Sequence, residues 1–568
     1  MIAPAKTKST RPAEPRINVL NRRMGGLRAL RQRHQPHWEE IRDYIAPDSY
    51  EDPATGQAND GARRDSAIVN NTPTLALEVA VSGLFNGTCD PTERWFDLEA
   101  VDPELNKSHA VRVYCEAVTD SLFSELNRSN FYKLVSEDFR SLLGFGTCAT
   151  VMEEVWEGDA IINFQAMPIG SYYVANNTRR EVNEIARDLR MSAAQMVDKF
   201  GDNVSQQVAD AAKEVSSAQR EFPVVHLVYQ NLQWNPMRDM LSEGKPYSSC
   251  YYEPSNPDGK DTMLEEKGFP SFPVACARWN TTGANPWGFG CGRTSIGDCR
   301  ALMAMEIDAA TATELGVKPP LLVPSGMAGQ PVSLIPGSLT YSPDAASDQG
   351  VKPLMQVQHD LSHSTQKIQE NEGRIERAFY NDIFLMIAND EGGKMTATEI
   401  NERAAEKRLA LTPILRVGEE YHKPILRFLY LIAGRRGRLP EPPPELEGQE
   451  IKLTLKSVLF AAAELQRSVA TRSCVANAVQ VGESVPSVLR IMKWDKIIRD
   501  DFRRNGAPAD LLYSEEEVAE MAAAEEEAMA KRQQGEAANL AANTAKTLSE
   551  TNTGNKSALT DIMAGLQQ

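Results

Sequence analysis

Three groups of residues in this chain have the types and spacing to do chemistry. The first is Gly288-Phe-Gly-Cys-Gly-Arg-Thr-Ser295, whose glycines could let backbone N–H groups close on a phosphate. A nucleotide-hydrolase loop needs a lysine directly before its Ser or Thr and four residues between its flanking glycines. Neither is present, nor is an acidic partner for a dinucleotide. The stretch therefore reads as a turn from a strand into a helix near Ser295. The second group is His359 and His363, four apart and able to face one metal ion from a helix. No Glu occupies the position a zinc protease requires and no third ligand stands out, so the pair reads as a solvated or interfacial face. His34 and His37 read the same way. The third group is the eight cysteines, scattered without a C-x-x-C pair, which read as reduced thiols. No G-x-S-x-G nucleophile turn is present. The chain reads as a non-enzyme, with no catalytic residue, metal or cofactor expected.

A clearer local signal lies in Asp390–Arg403, DEGGKMTATEINER. Gly392-Gly393 breaks one helical pattern and Thr396-Ala-Thr-Glu399 opens another. Thr396 can cap the new helix while Glu399 reaches back three residues, the reciprocal capping box. The loop Asp390-Glu391-Gly392-Gly393-Lys394 is thus an acidic, glycine-hinged connection between two helices, which points toward architecture and movement.

The elements around these residues indicate an α+β, mainly helical protein. Its 568 residues allow about three or four domains. The apolar fraction of 42% and charged fraction of 24% are ordinary for a globular chain. No apolar run approaches the ~18 residues of a membrane span, and the N-terminus lacks a signal-peptide core. The net charge of -17 argues against an ordinary nucleic-acid binder. Charge is unevenly spread: nine Lys or Arg up to Arg33 oppose Glu14 alone, whereas Glu515–Glu517 and Glu525–Glu527 load the far end with acid.

Periodicity predicts one helix from Arg16 to Ile45, ended by Pro47, and a second from Leu75 to Phe85 with Thr72-Pro73 as cap and first residue. A short strand at Arg94–Leu98, or an anchor under that helix, and helices at Ala110–Leu126 and Lys133–Leu143 follow. A β-rich block then begins with a hairpin, Val151–Trp156 and Ala160–Ala166 around Glu157-Gly158-Asp159. It continues with strands at Ile169–Val174, Val224–Tyr229, Ser249–Tyr252 and Val274–Trp279, interrupted by a helix Ser192–Phe200 that Gly201 closes. Helix returns at Ser295–Val317 and stops at Pro319-Pro320. A long helix, Gln358–Asn389, carries Leu361, Ile368 and Ile375 at seven-residue intervals with almost nothing apolar between. That stripe is too narrow for a monomer's core helix. Its second half (Phe379, Ile383, Phe384) reads as buried. A run over Ala397–Ala433 is interrupted at Thr412-Pro413 and strained at Pro424, and Ile451–Leu455 reads as a strand. Helices at Ala461–Val481 and Asp495–Arg504 precede an Ala- and Glu-rich tail from Ser514, helical at first and mobile at its end.

Several blocks, in order, resemble the head-to-tail connector (portal) proteins of T7-like, short-tailed bacteriophages. They are Trp38-Glu-Glu-Ile-Arg-Asp-Tyr-Ile-Ala-Pro47, Asn71–Gly83 with Pro91-Thr-Glu-Arg-Trp-Phe-Asp-Leu98, and Phe272-Pro-Val-Ala-Cys-Ala-Arg-Trp279 with Gly288–Arg293. Met395–Arg403 and Leu439-Pro-Glu-Pro-Pro-Pro-Glu-Leu446 follow at the expected places. The resemblance implies a portal fold of wing, stem, clip and crown, assembled as a dodecameric ring at one capsid vertex of the virion after synthesis in the host cytoplasm. Double-stranded DNA would pass through its channel, driven by a separate terminase motor. Scaffold, major capsid protein and tail adaptors would be its other partners, with no membrane. Carried over by order, residues 1–35 are a basic leader, 36–293 the wing, 294–318 and 358–378 the stem helices and 319–357 the clip. Residues 379–440 hold further wing helices with the channel-lining tunnel loop near 389–394, 441–513 the crown and 514–568 the acidic tail. Asp390 to Lys394 would then face DNA, and Leu361, Ile368 and Ile375 would form a stem seam. An acidic surface suits such a conduit, because DNA must slide without being trapped by counterion-releasing contacts. A shorter neck or tail adaptor ring is the alternative; the chain's length and β-block argue against it. A DNA motor is excluded by the missing phosphate loop.

Overall fold

The computed structural model describes residues 16–51, 65–232 (except 103 and 157), 234, 244–255, 263–322, 352–353, 361–388, 412–457 (except 447), 460, 494, 498, 513, 515–550, 552–553, 556–557 and 565. The chain divides into two compact units. The larger comprises Met1–Leu98, Ala117–Glu441 and Lys452–Gln466, and the smaller Glu99–Glu116, Pro442–Ile451 and Arg467–Gln568.

The larger unit begins with α1 (Arg16–Gln32) and α2 (Gln35–Tyr44), two helices where the periodicity predicts one. The reason is Pro36, which is tolerated in the first turn of a helix but breaks the middle of one. Helix α3 (Thr72–Thr88) starts one residue earlier than expected: Thr72 is helical, Asn71 precedes it, and Asn70 Oδ1 accepts from the Thr72 N–H at 2.9 Å and the hydroxyl at 2.7 Å. Strand β1 (Phe96–Ala100) and helices α4 (His109–Arg128) and α5 (Phe131–Phe145) appear where the pattern puts them.

The β-block forms two sheets. The expected hairpin is β2 (Thr147–Glu154) with β3 (Ile162–Met167), antiparallel from Ala149 opposite Met167 to Glu154 opposite Ile162. Strand β9 (Val274–Arg278) joins the other side of β2. The second sheet has the order β4 (Tyr172–Asn176), β5 (Val182–Ser192), β6 (Glu221–Gln230), β7 (Tyr247–Tyr252), β8 (Glu265–Phe269), all antiparallel. One of its faces is covered by Ile17, Leu20, Met24 and Leu27 of α1. The other is covered by α6 (Ala193–Phe200) and α7 (Gln206–Lys213) through Met196, Phe200 and Val208. Ser192 and Gln195 form a capping box at the start of α6, and Gly201 ends it with φ 60°.

Helix α8 (Cys291–Val317) leaves the core and ends before Pro319-Pro320. A two-residue antiparallel ribbon, β10 (Leu321–Leu322) with β11 (Lys352–Pro353), marks where the chain goes out and comes back. The expected long helix is broken into α9 (Leu361–Ala378) and α10 (Asn381–Ala388), because Tyr380 takes a left-handed φ of 60°. That kink aims Ile383 and Phe384 into the core, where Phe384 fills the space a side chain would need at Gly83. Helix Thr412–Val417 runs through a π-helical turn, Gly418–His422, into helix Lys423–Arg435. The strain expected at Pro424 is absorbed in this turn, since a proline there removes one backbone donor and crowds the carbonyl four residues before it. Strand Ile451–Leu455 is where it was expected. In the smaller unit, the 36-residue helix Glu515–Glu550 fulfils the expected helical start of the tail. The helix expected at 461–481 lies outside the described residues, and of the one expected at 495–504 only Ile498, which is helical, is described.

Candidate functional site

Asp390, Glu391, Gly392, Gly393 and Lys394 lie outside the described residues, as does the capping box that follows them. The two ends that hold the segment 389–411 are described, and both are anchored deep in the larger unit. On the incoming side, Ile383 and Phe384 of α10 are buried against α3. On the outgoing side, Ile414 and Val417 are buried, and the π turn behind them makes three separate attachments.

Glu420 accepts from the Arg278 backbone N–H at 3.0 Å and from its guanidinium at 3.1 and 2.6 Å, an almost buried two-pronged pair to the end of β9. The Tyr421 hydroxyl donates to Asp138 Oδ2 of α5 at 2.6 Å, and the Thr150 hydroxyl of β2 donates to the same oxygen. Asp138 Oδ1 has no hydrogen-bond partner. Burial drives its pKa up to about 7, against the pull of the two hydroxyls. His422 is completely buried, with Trp95 at 5.0 Å and Phe139 and Phe460 at 6.1 Å between ring centroids. Neither ring nitrogen has a partner, and burial lowers its pKa to about 3, so the ring is neutral.

The glycine-rich turn proves to be part of the same scaffold. It follows β9, with Asn280 bridged to Phe289, and opens α8 with Gly290 as its cap. Side chains at Gly288, Gly290 or Gly292 would run into backbone oxygens of Leu143, Gly144 and Gly146. Gly146 has φ 97°, and a side chain there would strike the backbone of Phe289 and Gly290. The glycines let two backbones touch at the α5–β2 corner, and that contact occupies the space a phosphate would need. Of the histidine pair, His359 lies outside the described residues and His363 is exposed.

The candidate seam divides. The side chain of Leu361 lies outside the described ones, Ile368 is half-buried, and Ile375 is fully buried by its own chain. Asn371 Nδ2 donates to the Asp298 carbonyl of α8 at 2.8 Å, and Asn70 Nδ2 joins Glu306 of α8 and Glu372 of α9 at 2.8 and 2.9 Å. Beyond these polar ties both helices change character. No residue of α8 after Met303 is buried, and none of the described α9 side chains before Asn371 is. Sequence reasoning missed the Asp138–Tyr421 and Arg278–Glu420 pairs, whose partners stand 283 and 142 positions apart. The alternation of glycine in Gly144-Phe-Gly146 and Gly288-Phe-Gly-Cys-Gly292 was the available signal for the backbone lock.

Comparison with known proteins agrees with the ordered blocks. A probable portal protein of Bordetella phage BPP-1 is 30% identical over 549 residues, which is 96% of this chain and 97% of the relative. A portal protein of Salmonella phage epsilon15 is 30% identical over 559 residues, 97% of this chain and 98% of that one. A solved chain described as the virion of a native gene transfer agent particle aligns with 70% of this chain and 89% of its own, at TM-score 0.29 and 11% identity, a likeness that supports no argument. The profile of the family described as bacteriophage head to tail connecting protein matches residues 18–512. Two polar-tied helices leaving a glycine-locked core, and near-complete coverage by that profile, converge: the chain belongs to the family of bacteriophage head-to-tail connecting proteins.

Proposed function

We propose that this chain is a portal subunit: copies of it form a dodecameric ring at the capsid vertex, through which the genome enters and leaves and to which the tail attaches. The role is structural. The observation that carries the reading beyond family membership is the change along α8 and α9, buried near the core and solvent-facing beyond Met303 and before Asn371. Helices bare on most sides are the geometry of a stem, which completes its packing against neighbouring copies. In this reading residues 36–293 and 379–440 make the wing, 294–318 and 358–378 the stem, 319–357 the clip and 441–513 the crown. Leu361 and Ile368 face the next copy, while Ile375 fixes α9 to its own subunit.

The segment after α10 is the tunnel loop in this proposal, with Asp390, Glu391 and Lys394 toward the DNA and Gly392-Gly393 as its hinge. The anchors on both sides suit a loop that meets moving DNA without disturbing the fold. The terminase motor, scaffold, major capsid protein and tail adaptors are the proposed partners; the chain is assembled in the host cytoplasm and resides in the virion. Negative-stain images or native mass spectrometry of the purified chain should give a large ring with a central hole. A stable monomer or dimer at high concentration would overturn the proposal. Packaging assays test the loop: Lys394→Ala and Gly392→Pro should each reduce packaged length or efficiency, and wild-type values in both would remove the loop from the channel.

A further inference from the structure

The corner of the larger unit where α1 ends, α2 begins and α8 starts gathers basic groups on an aromatic platform. Arg293, in the first turn of α8, lays its guanidinium over the Phe289 ring at 3.9 Å to the centroid. The His34 ring lies 6.4 Å from the same phenyl ring and stacks on Trp38 at 5.7 Å. Trp38 and Trp287 are buried and meet edge-on at 4.6 Å, which holds the platform rigid. His37, three residues on from His34, has a buried Nε2 with no hydrogen-bond partner. Along α8, Arg293, Gly297 and Arg300 share one face, and Gly297 leaves open space between the two arginines.

The charge of this cluster is not neutralised. Arg33 and Arg293 are exposed, and among the described residues neither meets a carboxylate. Elsewhere in the unit arginines find acids: Arg16 with Glu266, Arg28 with Asp188, Arg140 with Glu78 and Arg278 with Glu420. Carboxylates are not scarce, since Asp and Glu outnumber Lys and Arg by 78 to 61. Two of them stand close by on α2 but are engaged otherwise. Glu39 accepts from Gln35 at 3.1 Å, and Glu40 leans toward Arg300 at 3.7 Å. The basic groups feel one another: burial, then the charges of Arg293, His37 and Arg33, hold the His34 pKa below its ordinary value. Burial and Arg293 do the same to His37, with Glu40 pulling the other way. An anion placed among them would relieve that repulsion. Two guanidinium forks offer more donors than one carboxylate can accept, and they match the several oxygens of a phosphoryl group.

We propose that this corner is a binding site for a phosphoryl group, gripped by Arg33 and Arg293 with the imidazole of His37 beside them. Inorganic phosphate and the phosphodiester backbone of a nucleic acid both present that group. The inference does not rest on the portal reading, and its test reads the arginines themselves, so the two can fail separately.

The full chain is treated with phenylglyoxal, which modifies accessible guanidinium groups, and each modified arginine is quantified by mass spectrometry. Three solutions of equal ionic strength are compared: chloride, inorganic phosphate, and chloride with a short DNA duplex. Arg33 and Arg293 should be modified several-fold more slowly in one or both phosphate-bearing solutions. Arg220, which is exposed and stacked on Phe222 at 5.3 Å outside the cluster, should react alike in all three. Protection by the duplex makes the diester backbone a ligand, and protection by phosphate alone makes it free phosphate; either sustains the site. Reaction of Arg33 and Arg293 at the chloride rate in both solutions would overturn it. The variant Arg293→Gln tests whether the two arginines hold one ligand. It changes an exposed side chain, its fold is checked by circular dichroism, and protection of Arg33 should fall to the chloride level. Undiminished protection of Arg33 in that variant would also overturn the proposal.

Discussion

Tyr421 and His422 are neighbours in the π turn, yet the groups they involve respond oppositely to acid. Asp138, partner of the Tyr421 hydroxyl, has its folded pKa raised to about 7 by burial. A carboxyl whose folded pKa exceeds its unfolded one favours the fold most when protonated, so its contribution is present at low pH and falls away as pH rises through about 7. His422 has its folded pKa lowered to about 3, so its contribution is complete above pH 6.5 and is lost as pH falls from there toward 3. Asp138 makes the fold more stable as pH falls from about 7 toward 3.8, alone down to 6.5 and opposed by the histidine below that. Two substitutions separate them. His422→Phe, which fits an aromatic cage formed by Trp95, Phe139 and Phe460, should remove the histidine's loss and unmask a gain of stability as pH falls from 6.5 to 4. Asp138→Asn should abolish the gain between pH 8 and 6.5. Denaturant midpoints across pH check both, and profiles parallel to the wild type would show that neither group titrates as its burial requires.

At the scale of elements, the glycine contact between the α5–β2 corner and the start of α8 fixes where the outgoing helix is aimed. Gly290→Ala would press a methyl into the Leu143 and Gly144 carbonyls and the Gly146 amide. Backbone cannot rotate away as a side chain can, so the cost should reach or pass the upper end of the ~1–3 kcal/mol typical of overpacking. Gly297, seven residues on in the same helix, has open space around it, and Gly297→Ala should instead gain up to ~1 kcal/mol of helix propensity. Urea unfolding of the two variants measures opposite signs within one helix; equal effects would refute the backbone lock. The same elements mark what the sequence disclosed. The β2–β3 hairpin, the short helix that Gly201 closes and the stop at Pro319-Pro320 are local signals and could be read directly. Strand β5, with VNEIARDLRMS, is not among the strands that the pattern predicts. Its Arg187 is satisfied by His226 at 3.0 Å and by Gln165 and Tyr251 at 3.1 Å, and its Asp188 by Arg28 and Tyr173 at 2.8 Å. Those partners come from distant parts of the chain, so no window of sequence contains the reason the charges can be buried.

For the whole molecule, the decisive surface is the bare stretch of the two outgoing and returning helices. Helix formation in water is marginal for short isolated segments, and a long helix normally draws its stability from an apolar face packed against something. Here α8 keeps Ile307 at 51% and Val317 at 73% exposure, and Ile368 of α9 is half-buried. Within one chain these residues have no complete cover; in a cyclic assembly each would meet the complementary side of the next copy. Ile375 is different, because it is fully buried in its own subunit. The distinction gives a prediction that separates folding from assembly. Ile307→Asp changes an exposed position and should leave the subunit's unfolding midpoint nearly unchanged, within about 0.5 kcal/mol, and Ile368→Asp changes a half-buried one and should cost only about 1 kcal/mol, while a charge at the proposed seam would prevent ring closure. Ile375→Asp buries an unpaired carboxylate and should destabilise the subunit itself by several kcal/mol. Native mass spectrometry beside denaturant unfolding distinguishes the two classes. Folded single subunits from Ile368→Asp and Ile307→Asp place the seam on the solvent-facing halves of α8 and α9, whereas wild-type rings from both would place it elsewhere.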